Sequence, residues 1–303
     1  MMNIIGRRNI FYAISGSLMI VSVILISLWG LRFGIDFTGG SLLELEFQAE
    51  RPDVASLKAR TGSWDGPSLV FTPSGDKGLL VRTGHLSEEA KKKLLTLIGG
   101  QDGGLIEKRF TGIGPTIGQE LRQRSLAAIL LVISLIVLYV AWAFRKVSRP
   151  VKSWKYGVVT VITLLHDAII PTGFFAVLGK LYMAEVDTLF VTALLTIIGF
   201  SVHDTIVVFD RIRENLKEAK RAESFEEIVN KSVNETMTRS INTSLTVLFS
   251  LLAVFFFGGE SVMFFSLALI IGIIFGTYSS IFIASPLLVS WQRWADKPAR
   301  AKS

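Results

Sequence analysis

Six long apolar runs dominate this sequence and restrict the chain to the polytopic membrane proteins. A helix needs about 20 mostly apolar residues to cross the hydrocarbon core of a bilayer. Half of the 303 residues are hydrophobic and 19% are charged, a composition too apolar for a soluble domain. The runs predict six transmembrane helices, at residues 10–31, 126–144, 156–178, 186–209, 241–257 and 263–291.

The basic residues predict the orientation of the chain in the membrane. The net charge is +7, and the segment 145–155 carries five basic residues, whereas 179–185 carries one. Short loops rich in Lys and Arg stay in the cytoplasm. Both termini, the tail 292–303 and the connector 210–240 are therefore predicted to be cytoplasmic, with an interfacial amphipathic helix at 224–233. We attribute the positive charge to membrane topology and expect no nucleic-acid partner.

The first apolar run is predicted to be an uncleaved anchor. Arg7 and Arg8 precede it, as in a signal sequence, but no small-residue cleavage site follows. Residues 1–31 are therefore expected to form a cytoplasmic N-terminus and the first helix. The other five helices are expected to form a bundle over residues 126–291.

The polar segment 32–125 is predicted to be an exported α+β domain. Alternating apolar residues indicate half-buried strands, and apolar residues at helical spacing indicate helices. The predicted order is strand, helix, two strands, helix and strand, which is the ferredoxin-like or split βαβ pattern. At its borders, Gly39-Gly40 and residues 112–115 are expected to act as hinges or to form tight turns. The elements are predicted at 42–47, 54–60, 68–71, 78–82, 88–98 and 105–110.

Asp204 lies within the fourth apolar run and is the main candidate for a functional residue. An Asp at the centre of a spanning helix costs roughly 2.5–3.5 kcal/mol, so an intramembrane acid suggests a function and needs a partner. Arg239 lies at the start of the fifth run, and the helical rise places both residues in the cytoplasmic third of the membrane. We therefore expect an ion pair between Asp204 and Arg239 that opens when Asp204 takes up a proton. The adjacent His203 is a further candidate for this proton relay.

Two His-Asp pairs lie inside the predicted helices, His166-Asp167 in the third and His203-Asp204 in the fourth. Adjacent residues point about 100° apart on a helix, so neither pair is expected to chelate a metal ion by itself. A metal site across the two helices, with Asp167 and His203 as ligands, is one alternative. Another is that these groups only hydrogen-bond between helices and hold the bundle together. For Arg239 the alternative is a side chain that anchors its helix at the membrane surface.

No sequence motif supports an enzymatic function. The chain lacks the His-Glu-x-x-His zinc motif, the Walker loop and the Gly-x-Ser-x-Gly elbow. It also lacks cysteine, which excludes disulfides, thiolate metal ligands and a cysteine nucleophile. We therefore expect neither covalent chemistry nor a cofactor nor a bound metal.

The motifs of this chain closely resemble those of the SecF family of bacterial protein-export membrane proteins, over almost the whole length. The matching segments are 34–40, 114–118, His166-Asp167, 198–215 and 238–245. One departure is His203, where members of the family often carry Asn. The family-motif residues expected to be structural are Asp36, Phe37, Thr38, Gly39, Gly40, Gly114, Pro115, Gly118, Asp210, Arg211 and Arg213.

The resemblance implies one half of a proton-driven machine of the RND (resistance-nodulation-division) superfamily. A separate SecD chain would supply the other half, including an acidic residue that faces Asp204 and Arg239. The assembly would lie in the lipid bilayer of the bacterial cell membrane and would associate with the SecYEG channel, with YajC and with an unfolded preprotein. Asp204 and Arg239 match family positions tied to proton passage, and His203, Asp167 and His166 are additional candidates. The exported domain would move as protons flow.

Two other functions fit the same residues. One is a half of an RND-type exporter of small molecules, although such chains usually carry both halves and much larger exported domains. The other is a purely structural subunit that stabilises its partner, in which Asp204 serves only as a hydrogen-bonding group. If sodium replaced the proton as the coupling ion, Asp204 would still be needed.

Overall fold

The computed structural model describes residues 2–100, 104–145, 151–219 and 223–300. The chain divides into two compact units, each with its own hydrophobic core. We call them the membrane unit, which is Met1–Arg32 with Ala127–Ser303, and the sheet unit, which is Phe33–Leu126.

The membrane unit begins with a single 3-10 turn, Ile5–Arg7, followed by helix α1, Arg8–Trp29. The side chain of Asn230 accepts hydrogen bonds from the backbone N–H groups of Ile4, at 2.9 Å, and of Ile5, at 3.3 Å. The side chains of both isoleucines are buried. These contacts fasten the N-terminal segment to a helix that lies more than two hundred residues later in the chain.

The sheet unit has the ferredoxin-like arrangement. Its elements are α2 (Ile35–Thr38), β1 (Gly40–Phe47), α3 (Val54–Arg60), β2 (Val70–Ser74), β3 (Gly78–Thr83), α4 (Glu88–Gly99) and β4 (Leu105–Ile113). The strand order is β2-β3-β1-β4, and every neighbouring pair is antiparallel. A split βαβ sequence pattern leads to this order, so the predicted fold of the domain is confirmed.

Alternation along the strands determines which side chains form the core of the sheet unit. On β1, Leu43 and Leu45 are buried, whereas Glu44 and Glu46 are only partly buried. Successive side chains point to opposite faces of a sheet, so one face of β1 packs with the apolar residues of α3 and α4. The same core includes Phe47, Leu57, Leu79, Val81, Leu94 and Ile98.

Two carboxylates on the surface of the sheet unit hold local structure. Asp53 caps α3 by accepting a hydrogen bond of 3.0 Å from the backbone N–H of Ser56. The hydrogen bonds from Ser56 hold the pKa of Asp53 below its usual value. Asp65 accepts a hydrogen bond of 2.8 Å from Lys93 on α4, and this contact lowers the pKa of Asp65.

The glycine-rich borders of the sheet unit pack directly against one another. Gly39 has a φ of 70° and Gly40 a φ of 129°, which are conformations that favour glycine. A Cβ atom on Gly39 would lie 2.9 Å from Cα of Pro115, and one on Gly118 would lie 2.8 Å from the backbone nitrogen of Gly39. The two borders therefore form a single close backbone contact, which we call the glycine contact, and their role as hinges or tight turns stays a prediction.

The remaining elements are long helices, with one short π turn between the last two. They are α5 (Pro115–Ala143), α6 (Ser153–Tyr182), α7 (Thr188–Glu218), α8 (Phe225–Phe257), α9 (Glu260–Ser279), a π turn (Ser280–Ala284) and α10 (Ser285–Arg300). The last three run together as one span, Val262–Ala295. With α1, the described residues contain six helices long and apolar enough to cross a membrane. The prediction of six membrane helices is confirmed.

The segment predicted as a connector, 210–240, mostly continues two of the membrane helices. The interfacial helix expected at 224–233 is the first part of α8, because Ser224 and Glu227 form a capping box that starts α8 there. The connector, the basic loop 145–155 and the tail 292–303 all extend outside the described residues. The parts that do so are 220–222, 146–150 and 301–303.

The interior of the membrane unit is formed mainly by α6, α7 and the last span. The buried share of the apolar stretch is 50% in α6, 50% in α7 and 61% in the last span, against 11% in α1, 6% in α5 and 11% in α8. A polar group that is buried on the three central helices must therefore find its hydrogen-bond partners within the protein.

Candidate functional site

Asp204 on α7 is enclosed by two serine hydroxyls. The residue is buried, with 7% of its surface exposed. Ser240 on α8 donates a hydrogen bond of 2.5 Å to Oδ1 of Asp204. Ser280, the first residue of the π turn, donates a hydrogen bond to Oδ2. Each carboxyl oxygen thus has a donor from a different element, which offsets part of the cost of burying the group.

Asp167 on α6 forms a second buried carboxyl site of the same kind. Its Oδ2 accepts hydrogen bonds from Ser201 on α7 and, at 2.7 Å, from Ser279 at the end of α9. Its Oδ1 lies 2.8 Å from Nδ1 of His166. The side chains of this adjacent pair, which the helical geometry suggested would point apart, therefore bond to each other. Both are almost completely buried.

Each site can satisfy its carboxyl group in both protonation states. Oγ of Ser279 lies 3.0 Å from the carbonyl oxygen of Gly276, and Oγ of Ser280 lies 2.9 Å from that of Thr277. A serine hydroxyl has one hydrogen and two acceptor lone pairs. It donates to a charged carboxylate, whereas a protonated carboxyl donates to the serine and the serine hydrogen turns to the backbone carbonyl. The arrangement suits a group that gains and loses a proton.

Close packing of α7 against α9 brings these serines to the carboxyl groups. Gly272 and Gly276 form a Gly-x-x-x-Gly pair on α9, a spacing that lets membrane helices approach closely. A Cβ atom on Gly272 would lie 2.1 Å from Cδ1 of Ile197, and one on Gly276 would lie 3.2 Å from Cβ of Ser201. The glycines therefore make room for the side of α7 that carries Ser201 to Asp167.

The sequence accounts for the π turn that orients the two adjacent serines. Pro286, the second residue of α10, lacks the backbone N–H that would bond to residue 282 in a regular α-helix. The interrupted hydrogen-bond ladder allows a π turn, a feature often found at functional sites. Ser279 lies before the turn and bonds Asp167, whereas Ser280 begins the turn and bonds Asp204.

The expected ion pair between Asp204 and Arg239 is not formed. Among the described residues, the partners of the Asp204 carboxyl are serines, not a basic side chain. Arg239 is exposed and borders an open depression together with Asp210 and Glu235. Successive helical residues point about 100° apart, and in this structure it is Ser240, not Arg239, that faces Asp204.

The structure does not bring His203 to either carboxyl site. His203 is exposed, whereas its neighbour Asp204 is buried. The alternative metal site that used Asp167 and His203 is therefore not assembled. Within the part of the chain that the structure describes, no group of three or more His, Cys, Asp or Glu side chains could hold a metal ion.

Ion pairs lie at the charged end of α7, and one of them joins α7 to α8. Arg211 contacts Glu214 at 2.5 Å and Glu235 on α8 at 2.7 Å. Arg213 contacts Asp210 at 2.8 Å. The Arg211–Glu235 pair links the two helices beyond their apolar stretches, and the structural role of the three motif residues in this segment stays a prediction.

Sequence reasoning did not single out Ser279 and Ser280. The signal was present as four consecutive polar or aromatic-hydroxyl residues, 277–280, inside an otherwise apolar span. Their hydroxyls needed partners inside the membrane unit. The π turn determines which carboxyl group each of the two serines bonds, and the turn itself depends on Pro286.

Comparison with protein families places most of the chain in one group. A family model described as protein export membrane protein SecD/SecF, C-terminal, matches residues 98–294, and a model described as the SecD/SecF GG motif matches residues 30–50. The first match contains both carboxyl sites, and the second contains Gly39 and Gly40 of the glycine contact.

Several curated relatives are similar over nearly their full length, and each is named protein translocase subunit SecF. The protein of Thermobaculum terrenum is 47% identical over an alignment of 305 positions, which covers 96% of this chain and 94% of the relative. The protein of Anaerolinea thermophila is 39% identical over 100% of both chains. The protein of Pseudomonas aeruginosa is 34% identical over 95% of this chain and 90% of the relative.

Two solved structures have the same fold. A crystal structure of SecDF from Thermus thermophilus, described as a translocon-associated membrane protein, has a TM-score of 0.82 at 34% identity over 96% of this chain. SecDF in a super-membrane-facing form has a TM-score of 0.72 at 34% identity over 100% of this chain. This chain covers 39% and 40% of those proteins, so it spans about two-fifths of their length.

Proposed function

This chain belongs to the SecD/SecF family of protein-export membrane proteins, and from that premise we propose that it is a SecF subunit which uses the proton motive force to promote preprotein translocation. In this role it moves an unfolded polypeptide and makes or breaks no covalent bond. Similarity over the full length to proteins named SecF supports the assignment.

The proposed machine has a second half, supplied by a SecD chain. This chain covers 39% of the solved SecDF protein, which leaves room for such a half. The exposed apolar residues of α1, α5 and α8 offer surfaces for lipid and for that partner. We propose further that the assembly associates with the SecYEG channel and with YajC.

The proposed location is the bacterial cell membrane, with both termini and the charged ends of α7 and α8 in the cytoplasm. The domain organisation that we propose exports residues 32–125 and leaves the tail 292–303 inside. The unequal distribution of basic residues between the short loops supports this orientation.

Asp204 is the proposed proton acceptor. It is a buried carboxyl whose hydrogen-bond partners suit both the charged and the neutral form. Proton movement across the membrane supplies about 2.3 kcal/mol for each elementary charge per 100 mV. That energy is comparable with the cost of rearranging a few buried hydrogen bonds.

Arg239 is the proposed alternate partner of Asp204. A rotation of α8 about its axis by roughly one residue, about 100°, moves Ser240 away from Asp204 and brings Arg239 toward it. Neutral Asp204 suits the serine-bound arrangement, whereas charged Asp204 gains more from the guanidinium. Protonation would then favour one of two packings of α7 and α8. This change in packing would be transmitted to the sheet unit through α1 and α5. His203 is a further proton-exchanging group on the exposed side of α7.

The observation that carries this proposal is the enclosure of Asp204 by Ser240 and Ser280 on the central helices of a SecD/SecF family member. Its test is late-stage preprotein export into membrane vesicles that contain this chain and its SecD partner, with and without a proton gradient. Asp204→Asn is expected to abolish the gradient-dependent part of export while assembly with SecD stays normal. Glu218→Gln, which alters an exposed carboxylate at the end of the same helix, is the matched control and is expected to export normally. Unchanged export by Asp204→Asn would favour a purely structural subunit.

A further inference from the structure

We propose that Asp167, together with His166, is a second proton-binding site that is coupled to Asp204 and sets its proton affinity. Asp167 is a positioning residue in this view, because it acts through Asp204. The inference deepens the proposed function and rests on it for its role in export. The protonation of Asp167 and its coupling to Asp204 can nevertheless be measured without any export.

The first observation is that the His166-Asp167 pair can hold a mobile proton. Oδ1 of Asp167 lies 2.8 Å from Nδ1 of His166, which is a hydrogen bond across which one proton can move. When the proton lies on Oδ1, both groups are neutral, and when it moves to Nδ1, a carboxylate and an imidazolium result. The total charge of the pair is therefore the same for either position of the proton. It changes by one unit only when the pair exchanges a proton with its surroundings.

The second observation is an unused nitrogen on the same histidine. Nε2 of His166 is buried and has no hydrogen-bond partner among the described residues. The ring lies against the side chain of Tyr278, with ring centroids 6.3 Å apart, and against Phe275 at 6.4 Å. A buried polar atom without a partner is costly in a structure that satisfies most such groups. It is accounted for if the ring must be free to give up or accept a proton at this atom.

Two separate connections link the Asp167 site to the Asp204 site. On α7, Ser201 bonds Asp167 and lies three residues before Asp204, so the two residues are neighbours on one helix face. On the last span, the consecutive residues Ser279 and Ser280 bond Asp167 and Asp204, respectively. Each of these two serines also lies within hydrogen-bond distance of a backbone carbonyl. A change of protonation at one carboxyl therefore alters the hydrogen-bonding of a turn that also serves the other.

A negative charge on one buried carboxyl disfavours ionisation of a second one that is linked to it through a low-dielectric interior. Two buried carboxyls in this position are therefore expected to lose their protons in two coupled steps that belong to the pair. The elements packed against α6 carry other titratable or charged side chains. They include Arg8 and Tyr12 on α1, with Tyr12 bonded to Ser290; the exposed His203 and the charged residues of 210–218 on α7; Tyr278 on α9; and Arg293 on α10, bonded to Glu226. Lys155, at the start of α6 itself, bonds Gln292.

The test is infrared difference spectroscopy of the full-length chain in liposomes, titrated over pH, which records the carbonyl band of protonated buried carboxyl groups. Asp167→Asn and Asp204→Asn are each expected to remove one titrating band. In Asp167→Asn, the midpoint of the remaining Asp204 band is expected to differ from that in the unchanged protein, because coupled sites titrate as a pair. If Asp167→Asn removes no titrating band, or leaves the Asp204 midpoint unchanged, the proposal is wrong.

Serine variants test the route of the coupling. Ser279→Ala removes a donor to Asp167 and is expected to shift the titration of Asp167 while the protein stays folded. Ser266→Ala is the matched control, because Ser266 is also a buried serine on α9 but bonds only the backbone carbonyls of its own helix. Equal spectra for the two serine variants would overturn the route through Ser279. These outcomes do not depend on preprotein export, so failure here is separable from failure of the proposed function.

Discussion

The hydroxyl of Ser240 on α8 donates a hydrogen bond of 2.5 Å to Oδ1 of Asp204 on α7. The neighbouring Arg239, which sequence reasoning paired with Asp204, is exposed instead. A neutral hydroxyl can donate or accept a hydrogen bond, so it can pair with either the charged or the neutral form of Asp204, whereas a permanent cation favours the charged form. The arrangement seen here is one that a protonated Asp204 can occupy without an unpaired charge.

Loss of the Ser240 hydroxyl is expected to impair the site. In Ser240→Ala, Oδ1 of Asp204 loses its donor, and a buried polar atom left unsatisfied costs about 1–3 kcal/mol. We expect gradient-dependent export to fall by about tenfold or more, since 1.4 kcal/mol corresponds to a factor of ten. Thr243→Ala is the control, because the exposed Thr243 bonds only the carbonyl of Arg239 on its own helix. The vesicle export assay measures both, and equal export by the two variants would contradict the prediction.

Close approach of α7 and α9 is expected to tolerate no added methyl group at Gly272. In Gly272→Ala the new Cβ would lie 2.1 Å from Cδ1 of Ile197. Overpacking of this kind typically costs about 1–3 kcal/mol, which exceeds the gain of up to about 1 kcal/mol from replacing a helical Gly by Ala. Thermal unfolding in detergent is expected to show a lower midpoint for Gly272→Ala. Gly199→Ala on α7, where no atom lies within 4 Å of the new Cβ, should be unchanged or slightly stabilised.

The glycine contact of the sheet unit is expected to depend on Gly118 but not on Gly114. A Cβ on Gly118 would meet the backbone nitrogen of Gly39 at 2.8 Å, whereas a Cβ on Gly114 would meet no atom within 4 Å. Backbone cannot move aside as a flexible side chain can, so Gly118→Ala should destabilise the sheet unit by about 1–3 kcal/mol. Limited proteolysis of the full-length chain is expected to cut within residues 33–126 faster in Gly118→Ala than in Gly114→Ala. Identical cleavage rates would show that the contact is dispensable.

The cap of α3 is expected to weaken in acid. Because its pKa is lower in the folded state, charged Asp53 contributes stability above its unfolded pKa, near 3.9, and this contribution is lost as the pH falls through the folded value. Hydrogen exchange at Val54–Arg60, corrected for intrinsic rates, should therefore increase below about pH 4. Asn caps helices about as well as Asp but does not titrate, so Asp53→Asn should remove this pH dependence. Asp65→Asn, which breaks only the contact with Lys93, should keep it.

The secondary structure of the sheet unit was predictable because its signals are local. The helix predicted at 54–60 is α3, and the strands predicted at 42–47 and 105–110 lie within β1 and β4. Each element is short, alternates or repeats clearly, and is bounded by Gly, Pro or a capping residue. Ser224 and Glu227 are a local signal for the start of α8, whereas the contact of Arg211 on α7 with Glu235 on α8 joins different helices and has no local pattern.

The candidate site was predictable only in part. An aspartate in an apolar run is conspicuous because a charged group is energetically costly within a membrane helix. Asp204 and Asp167 could therefore be identified from the sequence. Their partners could not, because a serine is common in membrane helices and gives no comparable signal. The choice of Ser240 over Arg239 depends on the rotation of α8, and that rotation is set by packing against α7 and α9.

By itself the sequence determined the six membrane helices, the ferredoxin-like order of the sheet unit and the two buried aspartates. These follow from hydrophobicity, periodicity and the cost of burying charge, all of which act within a short stretch of chain. Only the tertiary structure decided that each aspartate would be enclosed by serines, that Ser279 and Ser280 would serve different carboxyls, and that the glycine borders would touch. Those relationships join residues far apart in the chain, and their geometry depends on helix rotation and close backbone approach, which no local pattern specifies.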